Sequence, residues 1–278
     1  MENQRYAIII GAMKCGTSSL FALMTKHPQI IGSIIKEPEF FSPILRPNKR
    51  IHNYATYREL WPENLGVADP VLMEASTGYT KIPKQTGVAQ RMHDYGIRPK
   101  LIYCVRNPID RVASQYNFSL EKRFFAAGSK ITDALYYNYS RYFTQLEPYR
   151  QTFGLHNIHI VDFDDIKIDA RSVAQGLTRF LEIDGTFSFP IPERRNETRA
   201  VSQRAMRVYT SPRLSRYYWN LPRGPRNTLH KLYLKRGRKA PFAKLTQDQR
   251  EFLYDELRED ILRFGETFNF PVEKWGFV

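Results

Sequence analysis

Gly11-Ala12-Met13-Lys14-Cys15-Gly16-Thr17-Ser18 gathers two glycines, a lysine and two hydroxyls into one short stretch, a composition suited to holding a phosphate. Glycines at its ends let the backbone turn tightly, and successive N–H groups at the start of a following helix attract an anion. Lys14 adds mobile charge, while Thr17 and Ser18 add hydroxyl donors. In the loop that grips ATP the lysine follows the second glycine; here Lys14 precedes Gly16 and Thr17 takes its place. The cradle survives that shift, but the usual ATP grip does not. A second group comprises Arg106-Asn107-Pro108, Arg111 and Ser114. Arg106 follows the apolar run Leu101–Val105, at the strand end where α/β sheets bind ligands. Ser114 comes about two helical turns later and can face the same ligand.

These residues need a scaffold. Tyr6–Ile10 has the length and apolar content of a strand, and Leu20, Leu23 and Met24 follow at helical spacing. The alternation recurs, with strands predicted at Val71–Ala75, Lys100–Val105 and Asn157–Phe163. Helices are predicted at Pro83–Tyr95, Pro108–Glu121 and Ala170–Leu181. Thr246-Gln247-Asp248-Gln249 fits a capping box before a last helix running to about Gly265, with Leu253, Leu257, Ile261 and Phe264 on one face. This is the pattern of an α/β fold with a parallel sheet covered by helices. Phe124–Arg141 carries no clear pattern and is expected as a substrate-side insertion.

The 278 residues carry a formal charge of +14 and suffice for one domain, expected to span 1–278. Fourteen Lys or Arg stand between Glu193 and Ala240 against two acids, Glu193 and Glu197, so this segment holds most of the excess. Tyr217, Tyr218, Trp219 and Tyr233 interleave with those cations, and several prolines break the stretch, which suggests an irregular or partly helical lid at about 193–240. Such charge implies an anionic partner. Cys15 and Cys104 are too few and too differently placed for a disulfide framework or a zinc site. They are expected to be thiols in a reducing compartment. With no long apolar run, the expectation is a soluble cytoplasmic protein without an integral membrane segment.

Together these features resemble the sulfotransferases that use 3′-phosphoadenosine 5′-phosphosulfate (PAPS), especially the heparan-sulfate-type and related bacterial branch. The resemblance covers most of the chain. It rests on Ile8–Leu20, Lys36-Glu37-Pro38-Glu39-Phe40-Phe41, the Arg106 and Ser114 pair, His159-Ile160-Val161-Asp162 and the C-terminal helix ending near Trp275. It implies a P-loop-containing three-layer fold with a central parallel sheet flanked by helices. It also implies that Lys14, Cys15, Gly16, Thr17 and Ser18 hold the 5′-phosphosulfate and that Arg106 and Ser114 hold the 3′-phosphate. Lys235-Arg236-Gly237-Arg238-Lys239 looks like the family's basic loop over the nucleotide, giving Arg236, Gly237 and Arg238 as further contacts. The product would be adenosine 3′,5′-bisphosphate, and the chemistry requires no metal.

Transfer to a hydroxyl needs a base and an in-line approach. Glu37 matches the position of the family's catalytic glutamate and is assigned that role, with Lys14 following the charge on the bridging oxygen and Lys36 orienting an anionic acceptor. His27, at the end of the first helix, is a rival base. Glu74 lies in Met73-Glu74-Ala75-Ser76-Thr77-Gly78-Tyr79, which resembles an acceptor-lining Glu-Lys-Thr-Pro segment, and is assigned to substrate binding; a purely structural Glu74 is an equal alternative. Ala75 replaces the lysine of the heparan-type enzymes, so that substrate class is not carried over. The expected acceptor is a hydroxyl of a carbohydrate or small molecule, not a nucleic acid. A P-loop kinase using ATP and a nonenzymatic polyanion or nucleic-acid binder are the competing classes.

Overall fold

The computed structural model describes residues 4–43, 55–63, 65–125, 128–191 and 198–278. The expected start of the basic segment, at 193–197, lies outside the described residues. Two compact units emerge: Met1–Pro108, Asn138–Asn196 and Arg258–Val278 form the first, Ile109–Tyr137 and Glu197–Leu257 the second.

The first unit opens with β1 (Arg5–Gly11), α1 (Thr17–Met24), β2 (Ile30–Gly32), β3 (Val71–Ala75), α2 (Val88–Asp94) and β4 (Lys100–Val105). Next come α3 (Pro108–Lys122) and α4 (Ala134–Tyr137), which lie in the second unit apart from Pro108. The chain then returns to the first unit with α5 (Tyr142–Phe153), β5 (Ile158–Asp162) and α6 (Phe163–Phe180). All strands of the sheet pair in parallel, in the order β2-β3-β1-β4-β5. A strand enclosed on both sides and both faces should be apolar throughout, and Ala7, Ile8, Ile9 and Ile10 are completely buried. Helices α1 and α6 pack together and against the strands, while Tyr142 of α5 stacks edge-on to Tyr103 of β4 at 5.8 Å.

Parallel pairing puts the carboxyl ends of the strands on one edge. The chain runs from β1 to β2 and β3 on one side, then crosses to β4 and β5 on the other. That reversal between β1 and β4 is the switch point at which open α/β sheets form a ligand crevice.

Several boundaries differ from the sequence expectation for local reasons. Helix α2 starts at Val88 rather than Pro83, because Gly87 at φ 69° ends a preceding turn and provides the entry. Helix α6 starts at Phe163, where Asp162 accepts from the Asp164 N–H at 2.9 Å and closes the strand. The expected start near Ala170 marks instead a break at Asp169, whose carboxylate caps the N–H groups of Arg171 and Ser172.

In the second unit the basic stretch forms α7 (Gln203–Thr210), α8 (Pro212–Asn220) and α9 (Arg223–Leu229), followed by a wide turn at His230–Leu234. Ser202 and Ser211 cap the first two of these helices by accepting from Ala205 N–H and Leu214 N–H. The described part of the segment is therefore largely helical. Tyr209 packs on Tyr218 and meets His230 Nδ1 through its hydroxyl at 2.9 Å. The unpatterned stretch around 124–141 is anchored by Arg111, fully buried, which donates to Gln115 Oε1 at 2.7 Å and to the Tyr136 carbonyl. Helix α10 (Gln247–Phe268) carries the capping box expected at its start: Thr246 N–H donates to Gln249 Oε1 at 3.0 Å and Gln249 N–H to Thr246 Oγ1 at 3.3 Å. Among the described residues, no helix is long and apolar enough to cross a membrane.

Candidate functional site

The glycine-bounded loop leaves the carboxyl end of β1, the central strand. Its first residues are tied to both neighbours: Ala12 N–H donates to the Cys104 carbonyl at 2.7 Å, and Thr80 Oγ1 donates to the Ile10 carbonyl at 2.8 Å. Gly11 sits so close to Thr80 that an added Cβ would lie 2.1 Å from its hydroxyl oxygen. Gly16 occupies the N-cap of α1 at φ 81°. Having no side chain, it caps no first-turn donor; its carbonyl takes the Ser19 N–H at 3.0 Å, and the Thr17 and Ser18 N–H groups are placed for an anion. The loop thus fits a phosphosulfate. Lys14, at φ 72°, and Ser18 are half-buried, whereas Thr17 is buried. Cys15 is completely buried, with its thiol directed at the Met13 carbonyl.

Arg106 begins the segment after β4, across the switch point from this loop. Tyr142 holds its backbone twice, donating to the Arg106 carbonyl at 2.7 Å and accepting from the Arg106 N–H at 3.3 Å. The guanidinium lies 5.3 Å from the centre of the Phe163 ring. The same ring would meet a Cβ on Gly16 at 2.8 Å, so Phe163 packs between the loop and Arg106. The sequence marks Phe163 only as the end of a strand; its role follows from a fold contact rather than a motif.

Ser114 is half-buried on α3 in the second unit. Arg236, Gly237 and Arg238 also belong to that unit and are exposed. Their loop folds back on the start of α7: Gln203 N–H donates to the Arg238 carbonyl at 2.9 Å and Ala240 N–H to the Val201 carbonyl at 2.8 Å. Gly237, at φ 100°, makes the turn.

On the other side of β1, Lys36 is exposed and Glu37 half-buried in the segment after β2. Thr77 Oγ1, just past the end of β3, donates to Glu37 Oε1 at 3.2 Å. Both Glu37 (φ 48°) and Glu39 (φ 52°) have left-handed backbones. For a residue with a Cβ this costs on the order of 1 kcal/mol or more and persists only where surrounding contacts enforce it. Phe40 and Phe41 supply part of that enforcement by packing among Tyr57, Tyr79 and Tyr95.

Glu74, on β3, is completely buried. Its Oε1 accepts from Tyr57 and Tyr79 hydroxyls at 2.9 and 2.8 Å, and its Oε2 from Ser76 Oγ at 2.5 Å. Burial raises its pKa to about 7, against the lowering effect of these hydrogen bonds. Loss of hydration outweighs three donors. Because the folded carboxyl keeps its proton up to about pH 7 while the unfolded one releases it near 4.5, the native state binds more protons in that window. Stability then falls as pH rises through it, by about 3 kcal/mol at most. Glu74→Gln retains an amide oxygen for the two tyrosines, so urea unfolding at pH 5 and pH 8 should show this variant gaining on the parent at the higher pH. Parallel pH dependence for both proteins would refute the burial argument.

His27 does not serve as the rival base. It is buried, its Nδ1 accepts from Gln29 N–H at 3.1 Å and its Nε2 therefore carries the proton donated to the Asp184 carbonyl at 2.9 Å. Both ring nitrogens are engaged.

Known proteins agree with this architecture. A family model described as "Sulfotransferase domain" matches residues 4–217. Heparan sulfate glucosamine 3-O-sulfotransferase 6 of Homo sapiens is 32% identical over 118 residues, covering 42% of this chain and 31% of that protein. Membrane-associated sulfotransferase kil1 of Dictyostelium discoideum is 34% identical over 116 residues, covering 41% of this chain and 23% of that protein. The chain thus spans less than a third of each of these curated relatives. A solved sulfotransferase from Alicyclobacillus acidocaldarius shares the fold over 98% of both chains, with a TM-score of 0.65 and 22% identity. Since the family model takes in well over half of its residues, the chain belongs to the sulfotransferase domain family.

Proposed function

We propose that the protein is an enzyme transferring the sulfuryl group of PAPS to a hydroxyl on a carbohydrate or glycoconjugate, by in-line displacement with Glu37 as general base. The observation that carries this reading is the single sheet edge bearing the open α1 N-terminus behind Gly16, Lys14, and Arg106 across the Phe163 ring. When bound, PAPS supplies an activated sulfuryl group with adenosine 3′,5′-bisphosphate as leaving group.

Lys14 and the N–H groups of Cys15, Gly16, Thr17 and Ser18 bind the 5′ side, and Lys14 neutralises charge growing on the bridging oxygen. Arg106 binds the 3′-phosphate; the family resemblance adds Ser114, Arg236, Gly237 and Arg238 to the nucleotide. Glu37, oriented through Oε1 by Thr77, takes the acceptor proton. Lys36 is placed to meet an anionic acceptor. A carbohydrate acceptor is supported by the curated relative named for heparan sulfate glucosamine. Heparan itself is not adopted, because Ala75 stands where the heparan-type resemblance has a lysine.

Incubation with radiolabelled PAPS and two probes, a chitooligosaccharide and de-O-sulfated heparin, should transfer label to at least one. Absence of label in both would overturn the carbohydrate assignment. We also propose a cytoplasmic location, supported by Cys15 and Cys104 remaining unbridged thiols; recovery in the membrane fraction of lysed cells would overturn it.

A further inference from the structure

We infer that Glu74 is a positioning residue for the reaction, whose buried carboxyl group fixes the Glu37–Phe41 backbone through Ser76 and Tyr79. It does so without touching the acceptor. This inference rests on Glu37 being the base.

Two donors from the acceptor-side segment converge on Glu74 through one hydroxyl each. Glu39 N–H donates to Ser76 Oγ at 2.9 Å, and Ser76 Oγ is hydrogen-bonded to Glu74 Oε2 at 2.5 Å. Two residues on, Phe41 N–H donates to Tyr79 OH at 3.4 Å, which donates to Glu74 Oε1 at 2.8 Å. A buried carboxyl bonded to both hydroxyls fixes where each proton points and leaves a lone pair of each hydroxyl oxygen facing its backbone donor, with Ser76 Oγ accepting instead of donating when the carboxyl carries its proton. Tyr57, also donating to Oε1, locks the third side. Thr77, between Ser76 and Tyr79, reaches Glu37 itself. Residues 37, 39 and 41 are thus each held by the short stretch after Glu74.

The strain points the same way. Glu37 and Glu39 both have left-handed backbones, and these pins hold the segment in that conformation. Packing adds a limit from the opposite side: a Cβ on Gly78 would fall 2.5 Å from the Glu39 carboxyl carbon, so only glycine lets that carboxylate lie against the 74–79 turn. Glu74, Ser76 and Tyr79 are each at most 1% exposed, which rules out direct contact with an acceptor.

The test compares Glu74→Leu, Ser76→Ala and Glu74→Gln for amide exchange over 37–41 and for steady-state kinetics with labelled PAPS and the better of the two carbohydrate probes. Leucine fills the space but accepts nothing; Ser76→Ala cuts one arm while leaving Glu74 in place, and stands in if Glu74→Leu fails to fold. Glutamine can still accept from both tyrosines, and its amide donates to Ser76 Oγ as the protonated carboxyl does, leaving the other Oγ lone pair for the Glu39 N–H, so it is the conservative rescue. The expected result is faster exchange at Glu39 and a kcat lower by roughly tenfold or more in the first two variants, with KM for PAPS within about twofold, and near-parental values for Glu74→Gln. Unchanged exchange in Ser76→Ala, or faster exchange with unchanged kcat, would overturn the inference. Glu37→Gln assayed alongside separates the two failures: if it keeps full turnover the base assignment falls as well, whereas if it is inactive while Ser76→Ala is fully active only the positioning role falls.

Discussion

Glu37→Gln is expected to lower kcat by about two to four orders of magnitude while leaving nucleotide binding unchanged. The replacement is close to isosteric. Its amide oxygen can still accept from Thr77 Oγ1, and any residue with a Cβ bears the same backbone strain at φ 48°, so only the basicity is removed. Single-turnover transfer from labelled PAPS would measure the loss in the chemical step directly. Turnover near that of the parent would show that another group takes the acceptor proton, and His27 is already excluded by its two occupied nitrogens.

Lys14→Ala should cost roughly a hundred- to a thousandfold in kcat, because it removes a positive group aimed at charge that grows during the reaction. Alanine does not relieve the left-handed backbone at φ 72°, so the loop conformation is not the variable. Lys14→Arg should recover only part of the loss, since a broad guanidinium does not replace a compact ammonium in a tight loop. Equal loss of kcat/KM and kcat would place the lysine in the transition state; a change confined to KM would make it a binding residue only.

The elements that position these groups were readable where one local signal decided them. Val71–Ala75 and Lys100–Val105 are strands over the very residues that the apolar runs mark out, because buried parallel strands have no polar face to blur the pattern. Helix α5 has no clear local signal: Pro148 stands inside it, and proline argues against a helix on local grounds that tertiary packing of Tyr142, Leu146 and Tyr149 overrides. The nucleotide-side residues were legible as motifs since their spacing is local. The acceptor side was less so. Thr77 and Glu37 are forty residues apart in sequence, and Ser76, Tyr79 and Tyr57 acquire their roles only when β3 lies beside β1 and the segment after β2 folds over its end. For Glu74 the sequence leaves cleft-lining and structural roles equal because it shows charge but not burial; the structure favours the second, three hydroxyl donors making its complete enclosure tolerable.

The central claim is that the loop Gly11–Ser18 and Arg106 form one clamp for a nucleotide bearing phosphates at both ends. Calorimetric titration with adenosine 3′,5′-bisphosphate, set beside ATP with magnesium, tests it most directly. The account predicts one-to-one binding of the bisphosphate, weakened at least about tenfold in both Lys14→Ala and Arg106→Ala, as expected when a charged partner of a phosphate is lost. Tight binding of ATP with magnesium and none of the bisphosphate, or bisphosphate binding indifferent to Arg106→Ala, would contradict it.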